Sequence, residues 1–409
     1  MISIVAALFF FLIPDGICLA SEVNYRGGPC HTGVYGQVDE EPDNLEYKKY
    51  FTYHLRNRKS LPVSSSPVPW DGKLYFGYRD AIMAFDPVRG SFREYRVEGA
   101  GSFTATPLIV DGRIYIGSGR PMRVYAFQVK DARLIKLWQK DVSGPVDAPA
   151  VLSGERVLFN TTGGELFGFT TEGDQVFRIK HTRFPVKYKD CANYTAPVVA
   201  DGNVYVNTGY SIKAFRVHDG SELFNIKLID GTGSREVYSS PCLSGNFLFV
   251  VIGRTLCRID LRTRGVMEFL SESDGRGSPA CDGERVFFSM DRLHYCVDVN
   301  TMELLWVFRE GYSNSRTTPL VLSKCVLFTD IHECIYLLDK ESGDLLGYEP
   351  KRRMAESGRH PASPIYWQNR IFWLTWSEYS LRIYFKGEGD KTWRFWKNSE
   401  DGHEYGRIF

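Results

Sequence analysis

The feature that most limits what this chain can fold into is a small residue followed by proline, recurring at a nearly constant interval. The pairs are Ser66-Pro67, Thr106-Pro107, Ala148-Pro149, Ala196-Pro197, Ser240-Pro241, Ser278-Pro279, Thr318-Pro319 and Ser363-Pro364. Successive prolines lie 40, 42, 48, 44, 38, 40 and 45 residues apart. Each pair leads into a short strand, a tight turn, a second apolar strand, a polar loop and a third strand. In the first copy the turn is Asp71-Gly72, and the third strand is Ile82-Met83-Ala84-Phe85, closed by Asp86. The turn recurs as Asp111-Gly112, Ser153-Gly154, Asp201-Gly202, Gly245-Asn246 and Asp282-Gly283. Most of these residues tolerate the positive φ that a two-residue hairpin demands. Ser323-Lys324 and Gln368-Asn369 stand in that slot in the last two copies. No stretch carries a sustained helical spacing of apolar residues. Strand-only repeats of this length predict an all-β fold, an eight-bladed β-propeller of four-stranded antiparallel blades.

The second strands run apolar, as in Ile114-Tyr115-Ile116, Val204-Tyr205-Val206 and Val286-Phe287-Phe288, which suits strands buried between neighbouring blades. The third strands carry Ala84, Ala126, Gly168, Ala214 or Cys296 at one recurring position, where a larger side chain is expected to push the sheets apart. Residues 47–55 are strand-like and precede the first copy. They are expected to close the ring by joining the sheet formed by 365–385, with Trp393-Arg394-Phe395-Trp396 as a competing strand.

The repeat resembles the quinoprotein-like, or PQQ-type, β-propeller repeat. The resemblance is carried by the small-Pro pairs, by Tyr125-Ala126-Phe127, by Leu338-Asp339 with Ser342-Gly343, and by His218-Asp219-Gly220. Tyr25-Arg26-Gly27-Gly28-Pro29 with His31-Thr32-Gly33 is similar to the opening of bacterial exported members. It covers roughly residues 24–385 and implies the fold more strongly than any activity.

Residues 2–13 are mostly apolar and lead to Cys18-Leu19-Ala20, which reads as a secretory leader over 1–20 and a single propeller domain over 21–409. An exported, periplasmic or envelope-associated protein is the expectation. The net charge of +1 gives no bulk attraction to nucleic acid or membrane. Of the nine cysteines, Cys242 and Cys281 lie on first strands of adjacent blades and are the first candidate disulfide, with most others expected as buried thiols. Asn160-Thr161-Thr162 and Asn193-Tyr194-Thr195 are glycosylation-type sequons, meaningful in a eukaryotic source.

The resemblance implies that loops leading into the first strands share a face with those between second and third strands. Arg235, Arg276, Arg316 and Arg359 stand just ahead of small-Pro pairs, while Arg79, Arg120 and Arg254 stand in the other loops. Such guanidinium groups can hold carboxylates, sulfates or phosphates, or else pair with Asp274, Glu236 and Glu310. Lys351-Arg352-Arg353 is a further basic run, and 181–195 is the longest loop opening a blade. His294 with Cys296 and His332 with Cys334 have the spacing of metal pairs, but no third and fourth ligand is evident, and no metal or cofactor is expected.

The expected function is a non-catalytic exported propeller binding a protein or anionic glycan on the face around its central channel. A monomer is expected, with a peripheral membrane or envelope complex open to it and no nucleic-acid partner. The alternatives are a PQQ-dependent quinoprotein dehydrogenase and a polysaccharide-cleaving enzyme using Arg with His31 or His360. The dehydrogenases that the repeat resembles carry a vicinal Cys-Cys pair, and this chain has none.

Overall fold

A computed structural model describes residues 50–54, 65–182, 192–228, 236–312, 315–349, 362–368, 370–375, 380–385, 393–397 and 404–408. The leader, the segment 25–33, Cys30, Cys191, Arg235, Arg359, His360, the 351–353 run and most of the long loop before blade 4 lie outside them. Eight four-stranded antiparallel sheets follow one another at 68–96, 108–141, 151–180, 198–227, 242–270, 280–308, 320–349 and 365–385, the last taking its fourth strand from 50–54, and no helix occurs among the described residues. These are the blades of a β-propeller, numbered here 1 to 8.

Each small-Pro pair sits immediately before its first strand, or one residue ahead of it in blade 3, because proline withholds an N–H where the ladder begins. The turns that follow adopt the left-handed backbone, with φ of 46° and 69° at Asp71 and Gly72 and 50° and 71° at Asp201 and Gly202. Gln368 takes the same conformation at 48°. The second strands are buried on both faces, as in Lys73–Tyr78 and Arg113–Ser118.

The recurring hydroxyl before proline has a second role beyond its size. The Ser66 amide donates to Thr106 Oγ1 at 2.8 Å, Ala196 to Ser240 Oγ at 2.9 Å, Ser240 to Ser278 Oγ at 2.9 Å, and Thr318 to Ser363 Oγ at 3.1 Å. The Ser363 amide donates to Ser66 Oγ at 2.9 Å, joining blade 8 to blade 1. The hydroxyl of one blade thus satisfies a buried N–H of the blade before it. Ala148 and Ala196 offer no such acceptor.

Further out, an aromatic residue of the fourth strand reaches the next blade. Trp138 Nε1 donates to Thr171 O at 2.9 Å and Trp306 Nε1 to Lys340 O at 3.1 Å. Their rings lie on Gly173 and Gly343, where an added Cβ would come within 2.7 Å and 2.6 Å of the indoles. Phe177 packs on Gly220 in the same way. The small third-strand residues stand opposite these aromatics: Ala126 faces Trp138, Gly168 faces Phe177, Ala214 faces Phe224 and Cys296 faces Trp306. Small size there makes room for the ring that joins two blades.

The ring closes on Tyr50–His54, which pairs antiparallel with the third strand of blade 8, Thr52 opposite Arg382. Arg382 is fully buried, 3.3 Å from Glu333 Oε2 of blade 7 and over the Trp373 ring. Trp393–Lys397 pairs with Glu404–Ile408 in a separate hairpin and with no blade strand. The candidate disulfide does not form. Cys242 and Cys281 share one apolar cluster as free buried thiols, as do Cys257, Cys296, Cys325 and Cys334 in theirs. Burial in apolar surroundings favours the neutral thiol and pushes Cys281 up to about 11.

Candidate functional site at the channel mouth

The Phe103 amide, on the segment leading into blade 2, donates to the Arg79 carbonyl in the turn between the second and third strands of blade 1. Gly275 and Gly253 make the same link between blades 5 and 6. These two loop sets therefore share one face, here called the mouth. On the opposite face, Val129 N–H donates to Gly112 O and ties the first turn of blade 2 to the end of its third strand.

The position three residues before each proline repeats around the mouth, and its occupants differ sharply from one side to the other. Blades 2 and 3 place Thr104 and Val146 there. Val146 is buried against Gly117, and the Thr104 hydroxyl donates to Asp147, whose carboxyl is pushed up by burial. On this side the slot holds a small hydroxyl residue and a buried valine. Blades 4, 5, 6 and 7 place Tyr194, Tyr238, Arg276 and Arg316 in the same slot, all partly exposed.

These four side chains form one stack. The Tyr194 and Tyr238 rings lie 5.4 Å apart with planes 11° from parallel. The Arg276 guanidinium carbon stands 5.7 Å and that of Arg316 5.2 Å from the Tyr238 centroid, within the range where an aromatic face attracts a cation. Around the stack, Arg254 Nη2 donates to Ser271 O at 3.0 Å. Tyr210 in the turn of blade 4 and Tyr312 ahead of blade 7 are 46% and 50% exposed. Tyr312 meets the His332 ring edge-on at 5.4 Å and donates its amide to Tyr336 Oη.

Of the seven candidate arginines, the structure thus gathers Arg254, Arg276 and Arg316 on blades 5 to 7. Arg79 and Arg120 are exposed on the turns of blades 1 and 2, across the mouth. Arg235 and Arg359 lie outside the described residues. The acids nearby are engaged with other arginines: Glu272 takes Arg309 at 2.8 Å and 3.0 Å, and Asp291 stands 3.8 Å from Arg292. Sequence reasoning missed Tyr194 and Tyr238. Aligning the eight copies on proline would have put them in register with Arg276 and Arg316.

The other candidates resolve into structural parts. His294 is fully buried, stacked on Phe328 at 4.4 Å, its Nδ1 bonded to Ser289 Oγ, and burial lowers it to about 3. Among the described residues no cluster of three His, Cys, Asp or Glu side chains is placed to hold a metal. Asn160 is buried, its amide donating to Thr195 O and its Oδ1 2.8 Å from His181 Nε2, so this sequon offers no accessible acceptor.

No curated protein sequence matches the chain. Among solved structures it is similar to BamB from Moraxella catarrhalis, at 18% identity and a TM-score of 0.65 over 82% of this chain and 98% of the other. It is similar to the computationally designed Ika8 protein, at 13% identity and a TM-score of 0.63 over 81% and 98%. It is also similar to the quinohemoprotein alcohol dehydrogenase ADHIIG from Pseudomonas putida HK5, at 11% identity and a TM-score of 0.66 over 93% and 83%. At these identities the structures share the fold and carry no activity across. The family model described as outer membrane protein assembly factor BamB matches residues 54–267, more than half of the chain. With its eight PQQ-type blades and that match, the chain belongs to the BamB family of outer membrane protein assembly factors.

Proposed function

We propose that the chain is a non-catalytic scaffold of the cell envelope that holds a protein partner on its mouth face. The observation that carries this reading is the half-exposed stack of Tyr194, Tyr238, Arg276 and Arg316 on blades 4 to 7. Tyrosine and arginine are the residues in which binding energy concentrates at protein interfaces, and a rigid ring of blades presents them with little ordering cost. Tyr210, Tyr312 and Arg254 extend the contact around the stack. Arg79 and Arg120 across the mouth, with Arg235 and Arg359, form the remainder of the contact set. Membership of an assembly-factor family supports a protein partner over a glycan. The quinoprotein-dehydrogenase reading lacks its vicinal cysteine pair.

The test is capture of a partner from an envelope fraction by the tagged full chain. Tyr238→Ala combined with Arg276→Ala should lose the partner while keeping the melting temperature, and Arg262→Ala on the opposite face should keep it. Equal capture by all three would overturn the reading.

A further inference from the structure

The outer edge of blade 2 differs from the others in length and in charge. Its fourth strand, Arg133–Asp141, runs nine residues where the other seven blades use five or six, and its pairing continues to Lys130 opposite Arg133. Asp131 and Ala132 close the hairpin at φ of 49° and 57°, and Arg93 of blade 1 braces it by donating Nη1 to Ala132 O at 2.9 Å. Inward, Leu134 packs into the core between blades 1 and 2, and Trp138 into the core between blades 2 and 3. Outward, the hairpin exposes Lys130, Arg133, Lys136 and Lys140, with Ile135 and Leu137 among them at 45% and 43% exposure. Its acids are Asp131 and Asp141, and Arg123 holds Asp141 at 2.6 Å. Among the described residues Lys130, Arg133 and Lys140 make no ion pair, and Lys136 donates to Gln139 Oε1 at 2.9 Å. The fourth strands of blades 5 and 6 carry Glu268 and no other charge. Cations are thus gathered on one edge of a chain whose net charge is only +1.

Lysine on a sheet edge repels a further strand, so this edge is not built for strand addition. Cations interleaved with exposed aliphatic side chains along one rigid edge complement an anionic bilayer surface. The charges meet the headgroup phosphates, and the aliphatic groups reach the boundary beneath them. We propose that the outer edge of blade 2 docks on an anionic phospholipid membrane. The fourth strand runs along the rim from one face of the propeller to the other, so contact along it stands the ring edge-on and leaves the mouth open to the side.

The test is co-sedimentation of the full chain with vesicles of equimolar phosphatidylcholine and phosphatidylglycerol, against vesicles of phosphatidylcholine alone. The anionic vesicles should bind at least roughly tenfold more tightly than the neutral ones, and binding should weaken as salt rises. At about fivefold per cation, Arg133→Gln with Lys136→Gln and Lys140→Gln should weaken binding by about a hundredfold. Ile135→Ser with Leu137→Ser should weaken it by about tenfold. Lys227→Gln with Arg262→Gln and Arg292→Gln, an equal loss of charge on blades 4 to 6, should change it by less than about twofold. No binding, equal binding to both kinds of vesicle, or a blade 2 triple variant that binds like the wild type would overturn the inference. A protein captured from the envelope fraction by the wild type and lost by that variant, with no vesicle binding, would overturn it in favour of an acidic protein. The two ideas fail separately. Tyr238→Ala with Arg276→Ala should keep vesicle binding, whereas the blade 2 triple variant should keep the partner held at the mouth.

Discussion

Removing one oxygen at the seam between the first and last blades tests how the ring is held shut. Ser66 Oγ accepts the buried amide of Ser363 at 2.9 Å, a hydrogen bond that bridges the two ends of the propeller. Ser66→Ala leaves that N–H without its acceptor in a site water does not reach, a loss of about 1–3 kcal/mol. Unfolding entropy of about 2.1 cal/mol/K per residue, taken over all 409 residues, gives about 0.9 kcal/mol/K, so the melting temperature should fall by about 1–4 °C. Calorimetry of the wild type, Ser66→Ala and Ser66→Thr measures it. Thr106 and Thr318 already fill this slot in other blades, so the threonine variant keeps the acceptor and should melt near the wild type. A Ser66→Ala protein as stable as the wild type, or a threonine variant as weak as alanine, would refute the reasoning.

Three further outcomes follow from the packing and the buried groups. Gly343→Ala puts a methyl 2.6 Å from the Trp306 indole at a φ of +76°, and should cost about 2–5 kcal/mol in denaturant unfolding from strain and overpacking together. Burial lowers His181 and His294 from 6.5 to about 3, so the unfolded chain binds more protons and stability should be full above pH 6.5 and decline toward pH 3. Below the ordinary carboxylate value of 3.8 a further decline should set in, because turn amides hold Asp219, Asp260, Asp298 and Asp339 below it; a denaturation midpoint that stays flat from pH 7 to 3 would contradict both effects. The six described cysteines should resist a thiol reagent in the folded protein and all react after unfolding, read by mass mapping; rapid native labelling of Cys242 or Cys281 would contradict their burial.

The blade count was legible because the pattern that encodes it is local. Proline, a turn and two strands buried on both faces leave short apolar runs at a repeating spacing, as at Pro67 to Phe85 and again at Pro197 to Phe215. The fourth strands left little signal. Ser91–Arg96 and Gln175–Lys180 are polar outer strands, and their buried member Phe177 is placed by a glycine of the next blade. The disulfide expectation failed: adjacent first strands bring Cys242 and Cys281 into one apolar core, where both are buried thiols. At the mouth, Arg276 and Arg316 could be singled out by charge. Their grouping with Tyr194 and Tyr238 depends on which blades are neighbours, which a linear scan for basic residues does not weigh.

The central claim is that a protein partner sits on the tyrosine–arginine side of the mouth. A photo-crosslinking amino acid placed in turn at Tyr238, at Tyr312 and at Val88 on the opposite face, in the full chain within its own envelope fraction, tests it most directly. One and the same protein crosslinked from positions 238 and 312 and absent from 88 is the predicted result. Crosslinks from 88 with none from 238 and 312 would contradict it.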